Sequence, residues 1–407
     1  MPLQKHDGTR LSPDRRRTRV PPTAPDPEGT IGLPSRASPD RTAIAGTATQ
    51  RRQSDPAARP IATLLVMLPW SAELAGRIDT CVIDSPSLRG NPLGDPHARP
   101  LWVYLPPGYD DDPTIHYPSI YVLQGYTGHV AMWANRSAFR QPFPETADAV
   151  FAAGAPPCIV VYVDAWTAYG GSQYVDSPGT GRYHSYLSDD VVPFVDARYR
   201  TIPDRESRAV TGKSSGGFGA MITPMLRPDV FGALASHSGD SLYELCYVPE
   251  FGKAVRALRG YDGDPHRWWA DFTSRVAFTR PEDGVLLGLY GVAACFSADP
   301  DGTPELPFEP TTGVIRPQVW QRWLDLDPVR MAPQHAEALR SLRAIWLDAG
   351  TSDEYFLDVG AEAFRAELDA AGVPADRVRL ELFPGTHSGT DHRYPLAVGW
   401  LAGRLAR

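Results

Sequence analysis

The chain has 407 residues, 42% of them hydrophobic, with 40 Lys and Arg against 48 Asp and Glu, so its net charge is −8. This length suits one large domain with a tail. The first 60 residues hold 11 basic and 6 acidic residues, which leaves about −13 on the remainder. The negative charge of this remaining part of the chain argues against nucleic-acid binding. The apolar run 61–68 is too short to span a membrane, and we expect no membrane partner.

Residues 1–66 contain no aromatic residue and are rich in proline and arginine. Such a segment buries too little apolar area to offset its ordering entropy, so we predict that it is disordered. Residues 67–407 are predicted to form the folded domain. The four cysteines show no metal-ligand spacing, which favours a reduced, cytoplasmic protein with no metal site. The oligomeric state stays open.

A β-rich run from Ser119 to Gln124 precedes the bend Gly125-Tyr126-Thr127-Gly128. A bend of this kind lets backbone N–H groups approach a bound carbonyl. The side chains of Gln124 and Tyr126 are equally compatible with a structural role and with ligand contact.

The next apolar strand, Cys158 to Val163, leads into an aromatic loop that ends at Tyr174. Open α/β sheets bind ligands at the carboxyl ends of their strands. Trp166 and Tyr169, with Asp164, are therefore candidates to line a pocket, although aromatic packing in an ordered surface loop explains them slightly better.

From residue 100 the predicted order is three strands, a helix, a strand, a helix and a strand, followed by a final strand–helix–strand–helix. The helix before the strand 207–211 has an apolar face formed by Leu187, Val191, Phe194 and Val195, despite Pro193. This alternation predicts an α/β fold with a mostly parallel sheet and helices on both faces.

The most informative motif is G-x-S-x-G at Gly212, Ser214 and Gly216. A β-prone stretch (207–211) precedes it and a small-residue segment able to form a helix (217–226) follows, as in a nucleophile elbow. A phosphate-binding loop would need glycine at position 207, where serine stands. Choosing Ser215 as nucleophile would place Lys213 at a crowded position, so Ser214 is favoured.

About 105 residues, 240–344, separate the strand near His237 from the next one, far more than a crossover needs. This insertion leaves the sheet at the edge where Ser214 is predicted. It is compatible with a lid or cap over a pocket and equally with an appended helical layer.

A serine nucleophile needs a base and a group that orients the base. Asp353 follows the buried strand 344–348, and His387 follows the alternating strand 378–383. They occur in the order serine, acid, histidine that α/β-hydrolases use. His392 is the rival base, but it falls where the last helix begins. Asp348 is interpreted as a residue within its strand that serves packing or a hydrogen bond, and Glu354 as a solvated residue near a helix start.

These segments together resemble the esterase group of the α/β-hydrolase superfamily, which includes enterochelin esterases, feruloyl esterases, S-formylglutathione hydrolase and mycolyltransferases. The resemblance covers about residues 80–405. It is carried by 104–109, 121–126, 212–220, 350–353 and 385–387. It implies an α/β-hydrolase fold, and the spacing of the predicted strands places the insertion before the acid-bearing strand. It also implies an oxyanion hole formed by the backbone N–H groups of Ser215 and Tyr126.

The sequence thus predicts a serine esterase that acts on a small-molecule ester without a cofactor. Ser214 is the predicted nucleophile, His387 the base and Asp353 the orienting acid; Gln124, Trp166 and Tyr169 are the candidate substrate contacts. An acyltransferase with the same three residues and a sugar or alcohol acceptor remains open. So do a thioesterase and a non-catalytic binding protein of the same fold.

Overall fold

A computed structural model describes residues 73–276 and 278–406. Its main sheet has eight strands in the order β1-β2-β4-β3-β7-β8-β9-β10. The six strands from β4 to β10 pair in parallel, whereas β1 and β2 form an antiparallel edge. The strands are β1 (Arg77–Asp84), β2 (Ala98–Leu105), β3 (Ser119–Leu123), β4 (Ile159–Val163), β7 (Arg208–Lys213), β8 (Ala233–His237), β9 (Ala344–Gly350) and β10 (Val378–Phe383), with a small hairpin of β5 (Asp176–Ser177) and β6 (Gly181–Arg182).

Helices cover both faces of this sheet. On one face lie α1 (Phe143–Ala152) and α13 (Arg393–Ala402). On the other lie α2 (Tyr183–Ser185), α3 (Val192–Arg198), α4 (Ser215–Leu226) and α12 (Leu357–Ala370), together with the insertion helices. The insertion contains α5 (Tyr243–Cys246), α6 (Val248–Leu258), α7 (Pro265–Ser274), α8 (Asp283–Phe296), α9 (Pro317–Leu324), α10 (Pro328–Met331) and α11 (Ala336–Ser341). The α/β-hydrolase fold predicted from the sequence is confirmed.

Two details differ from the predicted element order. Helix α1 lies between β3 and β4, where we predicted no helix. Pro142 and Pro144 at its start read as a turn signal, although proline suits the first turn of a helix. The helix before β7 is divided, because a π-helical segment (Tyr186–Val191) runs into α3 just before Pro193. A proline at this place lacks the N–H that a regular turn would use.

The insertion is part of the main hydrophobic core. Trp268 and Trp323 are fully buried in the same cluster as Phe218 of the elbow helix and Leu347 of β9. It therefore packs as a helical layer on one face of the sheet, and α8 also reaches the predicted site.

None of the described helices is long and apolar enough to cross a membrane. The predicted disorder of residues 1–66 lies outside the described residues.

Candidate active site

Ser214 sits on a sharp turn between β7 and α4, with φ 57° and ψ −126°. Non-glycine residues rarely adopt positive φ, and such strain is typical of functional turns. Only glycine fits at the two flanking positions of the turn, because a Cβ there would clash with neighbouring backbone atoms. A Cβ on Gly212 would lie 2.4 Å from Gly216, and one on Gly216 would lie 2.3 Å from the carbonyl oxygen of Leu123. The turn thus projects the Ser214 hydroxyl beyond the carboxyl end of β7.

The structure brings Ser214, His387 and Asp353 together in one hydrogen-bonded series. Ser214 Oγ lies 3.1 Å from His387 Nε2, and His387 Nδ1 lies 2.9 Å from Asp353 Oδ2. Because a carboxylate only accepts, Nδ1 carries the proton and Nε2 is free to accept from the serine. The rival His392 is exposed, and its Nδ1 faces the Gly389 carbonyl at 3.3 Å.

The carboxyl of Asp353 is fully buried beneath the imidazole. Burial alone raises its pKa, but the hydrogen bond and charge of His387, with the N–H of Tyr355 at 3.0 Å, outweigh it and leave the pKa lowered. The group is therefore a carboxylate at neutral pH, suited to holding an imidazolium.

Backbone contacts hold together the two loops that carry Asp353 and His387. The Ser352 N–H donates to the Gly385 carbonyl at 2.8 Å, and a Cβ on Gly350 would lie 2.5 Å from that same oxygen. Glu354 Oε2 accepts from the backbone N–H of His387 at 2.8 Å. This corrects our interpretation of Glu354 as merely solvated: it fixes the histidine loop.

A buried ion network supports the histidine loop from its other end. Asp348 accepts from Arg393, at the start of α13, at 2.9 Å, and it contacts His237 Nδ1 at 2.8 Å. These contacts link β9, α13 and β8. Asp348 thus makes structural hydrogen bonds, one of the two roles that the sequence allowed, and no contact with Ser214 is among its hydrogen bonds.

Tyr126 and Ser215 flank the serine. Within the part of the chain that the structure describes, neither backbone N–H has a hydrogen-bond acceptor. Ser215 begins α4, so its N–H belongs to the unpaired first turn. Tyr126 follows Gly125, whose Cβ position is 3.7 Å from Ser214 Cβ. Two free donors beside the serine hydroxyl are what an oxyanion hole requires.

These residues open onto a cavity of about 630 Å³. Its lining includes Ser214, Ser215, Tyr126 and His387, and α8 supplies one wall. The residues that α8 contributes are Gly284, Val285, Gly288, Leu289 and Val292. The insertion thus shapes the pocket as a wall, and the volume suits a small molecule.

The structure places Gln124, Trp166 and Tyr169 outside the lining of this cavity, which corrects their assignment as substrate contacts. Gln124 is buried and donates to the Gly128 carbonyl at 2.5 Å, closing its own turn. The ring of Tyr169 packs against Trp269 at 4.9 Å. Trp166 accepts at its backbone carbonyl from Arg99. Gln124 and Tyr169 therefore have structural roles, whereas the Trp166 side chain is exposed.

Asp164 in the same loop is likewise structural. It is paired with Arg99 at 2.5 Å and accepts from the Val130 N–H at 2.8 Å. Among the described residues, no group of three or more His, Cys, Asp and Glu side chains is arranged to hold a metal ion.

Sequence reasoning missed two charged residues of the cavity wall. Asp240 follows β8 and is buried, with Oδ1 3.4 Å from Ser214 Oγ. Lys213 precedes the nucleophile, and burial lowers the pKa of its amine. A signal for Asp240 was present, because it stands at the carboxyl end of the strand next to β7, where site residues gather.

Comparison with known proteins places the chain in a family. The family model described as "Putative esterase" matches residues 96–399, so the chain belongs to this esterase family, a class of carboxylic ester hydrolases. It is similar to a ferulic acid esterase of known structure, with 21% identity and a TM-score of 0.53 over 82% of this chain and 100% of that one. At this identity the likeness shows the shared fold.

Two curated relatives match shorter segments. An uncharacterised protein of Corynebacterium glutamicum is 27% identical over 145 residues, which are 35% of this chain and 33% of that protein. The uncharacterised protein YbbA of Bacillus subtilis is 31% identical over 156 residues, 36% of this chain and 58% of its own. The matches thus span one third and just over half of these relatives.

Proposed function

We propose that the protein hydrolyses a carboxylic ester through an acyl-enzyme on Ser214. The observation that carries this proposal is the hydrogen-bonded series from Ser214 Oγ through His387 to Asp353 at the mouth of the cavity. Membership of the esterase family supports the same chemistry.

In the acylation step, Ser214 Oγ attacks the ester carbonyl carbon while its proton passes to His387 Nε2. The negative charge on the carbonyl oxygen is stabilised by the N–H groups of Ser215 and Tyr126. Asp353 stabilises the imidazolium. When the tetrahedral intermediate collapses, the bond to the alcohol oxygen breaks, and His387 returns the proton to that oxygen.

Deacylation repeats these steps with water as the nucleophile. His387 takes a proton from the water as it attacks the acyl carbon. The bond to Ser214 Oγ then breaks, and the serine regains its proton from the imidazolium while the acid leaves. Every group in this cycle is a side chain or N–H of the chain itself, so the proposal needs no cofactor.

A fluorophosphonate probe tests the nucleophile directly. It should label the wild type and leave Ser214→Ala unlabelled, and the variant should lose hydrolysis of 4-nitrophenyl esters of graded chain length. Ser215→Ala is the matched control, because its hydroxyl lies in the same wall but outside the series. Labelling that survives in Ser214→Ala and vanishes in Ser215→Ala would overturn the assignment.

A further inference from the structure

Asp240 is a second carboxylate at the nucleophile, separate from Asp353. Its Oδ1 lies 3.4 Å from Ser214 Oγ, and its Oδ2 lies 3.5 Å from Ser215 Oγ. Tyr247 donates its hydroxyl to Oδ2 at 3.0 Å. Since Asp240 also lines the cavity, a substituent near a bound carbonyl carbon would come within its reach.

This carboxyl is 7% exposed, yet no Lys, Arg or His of the described chain forms an ion pair with it. Burial, with the charge of Asp353, raises its pKa, and the charges of His387 and Lys213 and the Tyr247 hydroxyl offset this only in part. Its direct contacts are hydroxyl groups, which compensate a desolvated carboxylate poorly. A cation brought by a ligand would supply the missing counter-charge.

Aromatic side chains stand beside Asp240 in the cavity wall. Tyr247 and Tyr355 line the cavity, and the charges of Glu250 and Asp240 both add to the burial that raises the pKa of Tyr355. Glu250, which also lines the cavity, is already paired with Lys253 at 2.6 Å. Aromatic faces beside carboxylates suit an organic cation.

Of the three basic residues in the lining, Arg140 is already paired with Asp391 at 2.5 Å and His387 with Asp353 at 2.9 Å. Lys213 acts on Asp240 through its charge and makes no direct ion pair with it.

We propose that Asp240 is a specificity-determining residue that binds an ammonium group of the substrate, so that the site prefers esters carrying a protonated amine within a few bonds of the scissile carbonyl. This inference rests on the proposed ester hydrolysis. The ammonium group can belong to the acyl part or to the alcohol part, and the two sources are separated by experiment.

Matched esters test both sources, with acid release followed by pH-stat. For the acyl part, β-alanine ethyl ester is compared with ethyl butanoate; for the alcohol part, 2-(dimethylamino)ethyl butanoate is compared with 3-methylbutyl butanoate. In one pair the wild type should favour the cationic ester by about ten-fold or more in kcat/KM, as expected for a hydrogen bond to a charged group.

Asp240→Asn keeps the shape of the side chain and removes its charge. It should reduce that ratio towards one, mainly through a higher KM for the cationic ester, whatever its effect on the neutral one. Glu250→Gln is the control for a general loss of negative charge and should keep most of the preference. Should Asp240→Asn not fold, the wild type still decides, because butylammonium should inhibit hydrolysis of ethyl butanoate more strongly than 1-butanol.

The inference is wrong if the wild type shows no preference in either pair, or if Asp240→Asn retains it. A stronger preference for ethyl 3-hydroxypropanoate than for β-alanine ethyl ester would also overturn it in favour of a hydroxyl donor. Fluorophosphonate labelling separates the two proposals: a labelled wild type without cation preference rejects only the role of Asp240. A wild type that is neither labelled nor active on any ester rejects the proposed function itself.

Discussion

One strained residue, Ser214, lies where the chemistry is proposed. The positive φ of Ser214 costs on the order of 1–3 kcal/mol, and the surrounding backbone holds it in place. Its N–H donates to the His237 carbonyl at 3.0 Å, and its carbonyl accepts from the Phe218 N–H at 2.8 Å. The hydroxyl is thereby presented to His387 in advance, which reduces the reorganisation needed on substrate binding.

Replacing His387 by Ala should lower kcat by at least about 10³-fold, because the series loses its base and its members act as a unit. His392→Ala is the matched control and should change kcat little, since that residue is exposed and its ring contacts the Gly389 carbonyl and the Phe383 ring rather than Ser214. Initial rates with a 4-nitrophenyl ester at saturating concentration give both values. The opposite pattern would refute the assignment of the base.

Ser214, Asp353 and His387 could be predicted from the sequence because each follows a readable strand, in an order that the chemistry requires. The position of Asp240 after β8 marks it as a candidate site residue, but its role and that of Glu354 could not be assigned in this way. Their roles depend on distances across loops, to Ser214 Oγ and to the His387 N–H, which no local pattern encodes. Gln124 was ambiguous for the same reason, since only its burial shows which way the side chain turns.

At the scale of elements, α8 is coupled to the loop that carries the Tyr126 N–H. The Tyr126 hydroxyl lies 2.8 Å from the carbonyl oxygen of Leu287 in α8 and 2.5 Å from that of Tyr169, so its one proton is shared between these two acceptors. A shift of α8 would therefore move the loop beside the nucleophile, and the cavity wall and the proposed oxyanion hole should respond together.

Two glycines of α8 provide a matched test of this coupling. A Cβ on Gly291 would lie 1.9 Å from the Tyr126 hydroxyl and 2.7 Å from the Tyr169 carbonyl, whereas one on Gly288 meets nothing within 4 Å. Gly291→Ala should cost about 1–3 kcal/mol of unfolding free energy and lower kcat. Gly288→Ala should stabilise by roughly 0.5–1 kcal/mol, as a helix-interior substitution.

Thermal melts and kcat measured well below the melting temperature distinguish these effects. Equal behaviour of the two variants would show that Tyr126 is not held by α8.

The start of α8 is anchored by an ion pair. Arg275 bonds both oxygens of the buried Asp283, at 2.6 and 2.7 Å. The hydrogen bonds from Arg275 lower the pKa of Asp283 to about 2, although burial opposes them. Because the folded pKa is depressed, the pair contributes fully above the ordinary value of 3.8. That contribution is lost as the pH falls through about 2.

Asp283→Asn should therefore cost about 2–3 kcal/mol at neutral pH, and the difference from the wild type should shrink between pH 4 and 2, a window set by the two pKa values. Denaturant unfolding across this range measures it. Asp79→Asn removes an exposed pair with Arg77 and serves as the control, with an expected loss of at most about 1 kcal/mol. A constant difference between pH 4 and 2 would contradict the linkage.

For the whole molecule, the alternation of apolar strands and amphipathic helices was sufficient to predict a mostly parallel sheet with helices on both faces. Strand β1 (Arg77–Asp84) and its antiparallel pairing lie before the predicted elements. The place of the insertion in the fold, as a lid or as a layer, was not predictable. Its tryptophans pack in the core through long-range contacts, and no periodic pattern in the sequence encodes these contacts. Helix α1 was not predicted because Pro142 and Pro144 stand at its start.

The expectation for residues 1–66 stays a prediction. A chain that begins at Met67 contains every described element and should melt within a few degrees of the full-length protein, with the same kcat/KM. Limited proteolysis should trim the full-length chain to nearly that point, because exposed unfolded backbone is cleaved first. An insoluble or inactive shortened protein would show that the segment packs on the domain.

The wide separation of the site residues along the chain has a consequence for biosynthesis. Ser214 and His387 are 173 residues apart, and His387 follows the edge strand β10. Near the end of the chain, the Ala406 carbonyl accepts from Ser207 Oγ at 2.9 Å, just before β7. A nascent chain that has formed the nucleophile turn still lacks its base, so ester cleavage should begin only after synthesis of the last strand. Prematurely released chains would be inert.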